Sequence, residues 1–345
     1  MKLPTRLALL AGCALLLAGC RSALLSQWLP RISAGPVEHK VTLIPLAGPL
    51  AERDAELSGL ARLDDELVLL PQYPALFGGN LFTLADAEIV AALAGVATAP
   101  LNPAPLAFDD GGLSAAIPAF EGFESIAIAG DRVYMTIEAR QGGGMTGYLV
   151  AGAVDRTARR VTLDPASLVA IAPQAPLSNL SDEAIAVLPD GQLLTFYEAN
   201  GAHVNPQPVA HRFDASGAPA GSLPSPTLEY RLTDATPADA DGRFWAINYF
   251  FPNDEEKLAP ANDELAARYG EGLTHAANRA VERLVEMQVT EAGVELVDQP
   301  PLQLRLLPGV ARNWEGIAPF TTGYLDGFVL VTDTFPATML AFVER

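Results

Sequence analysis

Lysine is nearly missing from this chain: Lys2, Lys40 and Lys257 are the only three in 345 residues. With arginine the basic residues number 22 against 41 acidic ones, a formal net charge of -19. Duplex binding requires clustered Lys and Arg to displace counterions, so nucleic acid is excluded as a partner. Cysteine is as scarce, with only Cys13 and Cys20, so no disulfide holds the fold beyond them. Neither a His-Glu-x-x-His run nor a paired-cysteine motif occurs, which disfavours zinc. A Gly-x-Ser-x-Gly elbow is missing too. Gln141-Gly142-Gly143-Gly144-Met145 lacks the lysine and the following helix of a phosphate loop, and reads as a hairpin.

The N-terminus is informative. Lys2 and Arg6 precede an apolar stretch from Leu7 to Leu17, followed by Leu17-Ala18-Gly19-Cys20. Charged, apolar and small-residue regions thus stand in signal-peptide order. The stretch falls short of the roughly 20 apolar residues of a permanent span. Leu-Ala-Gly-Cys resembles the lipobox of bacterial lipoproteins, which implies cleavage before Cys20 and a diacylglycerol thioether on its sulfur. A second Leu-Ala-Gly-Cys, ending at Cys13, has a much shorter apolar region before it. The expected organisation is a signal peptide over 1–19, a lipidated Cys20 with a tether to residue 37, and one domain over 38–345. Removing Lys2 and Arg6 takes the net charge from -19 to -21. Arg21 after the lipidated cysteine resembles a sorting signal for the periplasmic face of the outer membrane.

Half the residues are hydrophobic, enough for a large core. Self-similarity shows how the core is built. Glu56-Leu57-Ser58-Gly59-Leu60-Ala61, Glu124-Ser125-Ile126-Ala127, Glu183-Ala184-Ile185-Ala186 and Glu315-Gly316-Ile317-Ala318 repeat an acid before small and apolar residues. Asp234-Ala235-Thr236-Pro237 is a degenerate fifth copy. Each copy is followed by a short apolar run ending in Gln72, Glu138, Glu198, Asn248 or Asp333, and most have a further run, such as Val209 to Phe213. Such runs, rich in Val, Ile, Phe and Tyr and bounded by turns, read as strands. Four-stranded sheets repeating at this interval, apolar on both faces, define the blades of an all-β fold, a β-propeller. Five blades are favoured; six require a divergent unit in the long first or fourth interval. Val41 to Leu46, otherwise unassigned, is expected to complete the last blade and fasten the ring. A short helical insertion, around Asp263 to Tyr269, interrupts the fourth blade.

Glu-Gly-Ile-Ala and Glu-Leu-Ser-Gly-Leu-Ala before a strand resemble the esterase-like phytase-type propellers and the related SdiA-regulated group, over roughly residues 38–345. The resemblance implies a phosphoester or carboxylester hydrolase. The degenerate blade at Asp234 departs from its pattern.

In such a ring Glu56, Glu124, Glu183, Asp234 and Glu315 converge near the axis. Two unit charges about 6 Å apart at an effective dielectric near 20 repel by roughly 3 kcal/mol, so several carboxylates together demand relief. A cation, raised pKa values or backbone donors each supply it. Oxygen ligands without Cys or clustered His suit Ca²⁺, the expected cofactor. The alternative is that each acid accepts hydrogen bonds within its own blade. Glu138, Glu198 and Asp333, with His203 in the loop after Glu198, are the candidate general acids and bases. Arg279 and Arg283, behind the insertion, are candidate contacts for an anionic ligand, or Arg283 pairs with Glu282 or Glu286. Two functions follow: a lipid-anchored, cation-binding hydrolase, or a non-catalytic envelope scaffold that binds a small molecule or protein.

Overall fold

A computed structural model describes residues 36–142 and 144–345; Cys20, the signal segment and nearly all of the tether lie outside them. No helix among the described residues is long and apolar enough to cross a membrane. The chain is a β-propeller. The inner strand of each blade is Leu57–Leu63, Phe120–Ala129, Asp182–Val187, Arg231–Ala235 or Trp314–Thr321, and these five strands pack on one another in a closed cycle. Outward from each run antiparallel neighbours: Glu66–Pro71 and Asn80–Ala85 in the first blade, Leu193–Tyr197, Val209–Phe213 and Pro219–Pro224 in the third. The first and second blades share one sheet because their outer strands, Ala104–Asp109 and Arg160–Leu163, pair in parallel.

Each seam between blades holds its own apolar core, because side chains alternate along a strand and both faces of a blade are covered. Val68, Leu70 and Leu81 of the first blade meet Ile126, Val133 and Met135 of the second. Leu194 and Phe196 of the third meet Phe244 and Met287 of the fourth. Fully burying one such side chain contributes about 1.5–3 kcal/mol. The same alternation made the strand runs legible: Leu193–Tyr197 and Val209–Phe213 fall where the sequence put them.

Val41–Ile44 pairs antiparallel with Leu340–Glu344 and completes the fifth blade, so the two ends of the domain close the ring. Just before it, Glu38–His39 pairs with Leu302–Leu304 of the fourth blade. The long first interval contains the helix Asp86–Leu93 and an outer strand rather than a further blade. The insertion in the fourth blade forms Glu255–Leu258, Glu264–Tyr269 and Leu273–Ala276, with Asp263 capping the second by accepting from the amides of Leu265 and Ala266. Glu38 anchors its last turn: the carboxylate accepts from the Thr274 amide and hydroxyl, the His275 amide and His275 Nδ1.

Candidate active site at the propeller axis

The repeated motif encodes a β-bulge. Register breaks between Leu57 and Gly59, Phe123 and Ser125, Asp182 and Ala184, and Trp314 and Gly316, leaving Ser58, Glu124, Glu183 and Glu315 outside the ladder. A bulge re-aims a side chain, here towards the mouth of the central channel. The small residue after each bulge lets inner strands approach: a Cβ on Gly59 would lie 3.1 Å from the Ile126 nitrogen, and one on Gly316 3.0 Å from the Gly59 carbonyl carbon. The equivalent of Glu124 in the first blade is therefore Ser58, not Glu56. Glu56 stands two residues earlier at φ 47°, its amide donating to Thr338, and reaches the same cavity from the rim.

The cavity has a volume of about 380 Å³ and gathers Glu56, Glu124, Glu138, Glu183, Glu315 and Asp333. Of the second polar set Gln72, Glu138 and Asp333 line it. Glu198 and Asn248 do not: both are fully buried, Glu198 against Arg231 and Asn248 between Arg283 and the carbonyls of Glu229 and Arg231. Asp234 also leaves the expected set. Its register break spans Thr233 and Asp234, and the carboxylate turns into the ring, accepting from Ser125 Oγ at 3.0 Å and the Ile317 amide at 2.9 Å. It ties three inner strands together beneath the cavity, with burial holding its pKa well above the ordinary range.

Arg231, which the repeat does not announce, is the positive centre. Its Nε donates to Glu198, its Nη1 to Asn313 Oδ1 at 3.0 Å and its Nη2 to Glu315 at 3.2 Å, with Glu183 at 3.8 Å. Burial works against its charge, but Glu315 and Glu183 prevail and raise its pKa. Asn313 also donates to Asp333 Oδ2 at 2.7 Å. The cavity thus has two unlike halves. Around the third, fourth and fifth blades the acids meet a guanidinium.

Around the first two blades Glu124, Glu138 and Glu56 have no basic partner within salt-bridge distance among the described residues. Glu124 accepts from Gln72 Nε2 at 2.9 Å, and one oxygen of Glu138 has no hydrogen-bond partner. Burial, then the neighbouring Glu183, pushes the Glu138 carboxyl up to about 8. Burial, then Glu138, holds Glu124 well above the ordinary range. In the arginine half burial still prevails over Arg231, so Glu183 is pushed up to about 7 and Glu315 well above its usual value. The chain itself offers two forms of relief, a guanidinium and raised pKa values.

A hard cation suits the chemistry of this set. Every donor is oxygen, and Ser58 Oγ, Glu138 Oε1 and Glu183 Oε2 are buried without hydrogen-bond partners. Among the described residues, however, no three acids or histidines stand close enough to form a ready-made ion site. An ion would have to draw the side chains together.

The other candidates lie elsewhere. His203 is exposed, its Nδ1 2.8 Å from the Ala259 carbonyl, and it does not line the cavity. Arg279 is exposed and pairs with Glu255. Arg283 is buried and grips Asp263 with both terminal nitrogens, at 2.8 and 3.1 Å, not Glu282 or Glu286. Neither arginine is free for an anionic ligand. The insertion does flank the mouth, through Asp254 and Lys257, with Phe251 just before it.

Fold and site together define a β-propeller with an acidic axial cavity. Among solved structures, an exo-1,5-alpha-L-arabinanase from a bovine ruminal metagenomic library is similar at 8% identity and TM-score 0.44, over 87% of this chain and 100% of that one. A GH43 endo-arabinanase from Bacillus licheniformis is similar at 11% identity and TM-score 0.45, over 87% and 96%. The catalytic domain of a Coprinopsis cinerea GH62 alpha-L-arabinofuranosidase is similar at 9% and 0.46, over 92% and 98%. Likeness at this level assigns no activity to this chain. No protein-family model matches the sequence and no curated protein does, so neither the phytase-type nor the SdiA-regulated resemblance has a sequence match behind it.

Proposed function

We propose that the chain is a cell-envelope hydrolase, lipid-anchored through Cys20, whose axial cavity works by carboxyl groups. The observation that carries this reading is the division of the cavity. Glu138 keeps its proton at neutral pH; burial raises the pKa of Asp333 as well, but there the Phe335 amide at 2.7 Å, Asn313 and Arg231 oppose the rise. Carboxyls whose environments set their proton affinities apart are what acid and base roles need. Glu138 donates a proton to the leaving-group oxygen as its bond breaks, and Asp333 takes one from the attacking water. Arg231 holds Glu183 and Glu315 in place between them.

Charge narrows the substrate. The lining bases are Arg231, already engaged, and Lys257, against seven acids. A carboxylester or another uncharged substrate suits this field better than a phosphoester. Glu124, Glu183 and Glu315, with the Ser58 hydroxyl, are the residues that would hold Ca²⁺. The bound ion would supply the positive charge that a phosphoester needs.

A non-catalytic scaffold is the second reading, favoured by Asp234 and Glu198, whose carboxylates serve the fold. Melting the mature chain in EDTA and then in graded calcium, beside a screen of carboxylesters, phosphoesters and glycosides, separates the possibilities. Binding to the native state alone raises stability by RT ln(1 + [L]/Kd). A saturable rise that Glu124→Gln abolishes supports the cation. Cleavage lost in Glu138→Gln and Asp333→Asn supports the hydrolase. No turnover of any class leaves the scaffold.

A further inference from the structure

A second cavity, of about 450 Å³, lies beside the axial one, between the turn Pro74–Phe77 and the stretch from Phe108 to Phe123. Its walls are the rings of Tyr73, Phe108, Phe120 and Phe123, with Leu76 at the lip. The rings meet edge to face: Phe108 and Phe123 at 5.3 Å and 85°, Phe120 and Phe123 at 5.2 Å and 68°, Tyr73 and Phe120 at 6.4 Å and 71°. Polar groups are few. Asp110 is already occupied by the amides of Gly112 and Ser114, and the Tyr73 hydroxyl donates to the Glu121 carbonyl.

The wall shared with the acidic cavity is one residue thick. Gln72 donates to Glu124 on the axial side while the next residue, Tyr73, gives its ring to the other. Phe123 and Glu124 divide the same way on the paired inner strand. Tyr73 feels the axial acids: burial, then Glu124, pushes its phenol up to about 12.

We propose that this side cavity is an aryl-binding subsite, holding an aromatic group of the substrate on the side of the axial cavity that carries Glu124 and Glu138. The edge-to-face box suits a planar ring, which gains from ring pairs beyond simple burial. Phe108 and Phe123 belong to the core between the first two blades, so the box is held rigid before any ligand arrives. A charged group has no partner there. An occupant of one or two fused rings fits the volume and leaves room for the linking atoms. Only the claim that the bound molecule is a substrate rests on the hydrolase reading; the subsite itself does not.

Titration of 2-naphthol against the mature chain carrying Cys20→Ser, followed by fluorescence, tests it. Ala75 lies exposed on the rim of the pocket, so Ala75→Trp fills the box without touching the core. Saturable binding is expected, weakened at least tenfold by Ala75→Trp and unchanged within twofold by Arg279→Ala, an exposed residue that lines neither cavity. A parallel assay compares cleavage of 2-naphthyl acetate and ethyl acetate, with the aryl ester favoured tenfold or more and the preference lost in Ala75→Trp. Unsaturable binding, or equal binding by Ala75→Trp, overturns the subsite. Saturable, Ala75-dependent binding with no turnover of aryl esters, aryl phosphates or aryl glycosides keeps the subsite and removes the hydrolase reading. Cleavage indifferent to the aryl group and to Ala75→Trp keeps the hydrolase and removes the subsite.

Discussion

Replacing Glu138 by Gln tests the central electrostatic claim, because the amide keeps the shape and cannot ionise. Folded, the carboxyl titrates at about 8, pushed there by burial and by Glu183; unfolded, it returns to the ordinary value near 4.5. Between those values the folded state holds more protons than the unfolded one, so stability falls as pH rises. Linkage between the two titrations makes the cost about 1 kcal/mol at pH 5.5 and about 5 kcal/mol at pH 8.5. Glu138→Gln removes that cost. Its advantage over the wild type should grow by about 3 kcal/mol from pH 5.5 to 8.5, which for a domain of about 310 residues is about 4–5 °C in Tm. Differential scanning calorimetry at the two pH values, in EDTA, reads this directly. If the difference in Tm between the two proteins does not change with pH, the carboxyl is not held protonated in the folded state and cannot act as the proton donor.

Arg231→Met should cost about 3–5 kcal/mol at pH 7.5, because Glu198, Glu183 and Glu315 lose their shared guanidinium; urea unfolding should show the loss shrinking at pH 5, where Glu183 and Glu315 hold their protons. Glu38→Gln should destabilise by about 1–2 kcal/mol near neutral pH by weakening the carboxylate bonds to Thr274 and His275. Burial acts to raise the Glu38 pKa, but those hydrogen bonds prevail and lower it. Its contribution is therefore complete above about pH 4.5 and fades as pH falls through the lower folded value, so limited proteolysis of residues 252–279 should separate the variants at pH 7 and not near pH 3. Deleting residues 38–44 removes the strand that pairs with Leu340–Glu344; a broad, non-cooperative melt is expected by circular dichroism, and a sharp transition at the original Tm would show that the closure is dispensable.

The inner and second strands were legible because each blade repeats one apolar rhythm, and the closing strand because the last copy was too short to be a blade. The site was half legible. Aligning the first repeat on its acid placed Glu56 beside Glu124, whereas aligning on Leu60-Ala61 and Ile126-Ala127 places Ser58 there, and the bulge obeys the second. Asp234 looked like a degenerate ligand because its sequence neighbours match the motif; the displaced bulge at Leu232–Ala235, visible only in the pairing, turns it inward. Arg231 carried no repeated signal, since a single arginine between Tyr230 and Leu232 looks like any strand-edge charge. His203, Arg279 and Arg283 stand near the mouth in sequence, but Arg283 pairs with the insertion's own cap at Asp263.

The parallel pairing of Ala104–Asp109 with Arg160–Leu163 also governs how the ring accommodates charge. Residues 38–44 link the fourth blade to the fifth differently, one continuous segment adding an outer strand to each. The parallel pairing joins at the rim the two blades that carry Gln72, Glu124 and Glu138, where repelling carboxyls have least help from a base. Blades joined at both rim and axis cannot hinge apart to widen the distance between like charges. This sector must instead answer a rise in pH chemically, by keeping a proton or accepting a positive ligand, and that makes its charge state a more sensitive reporter of occupancy than its shape.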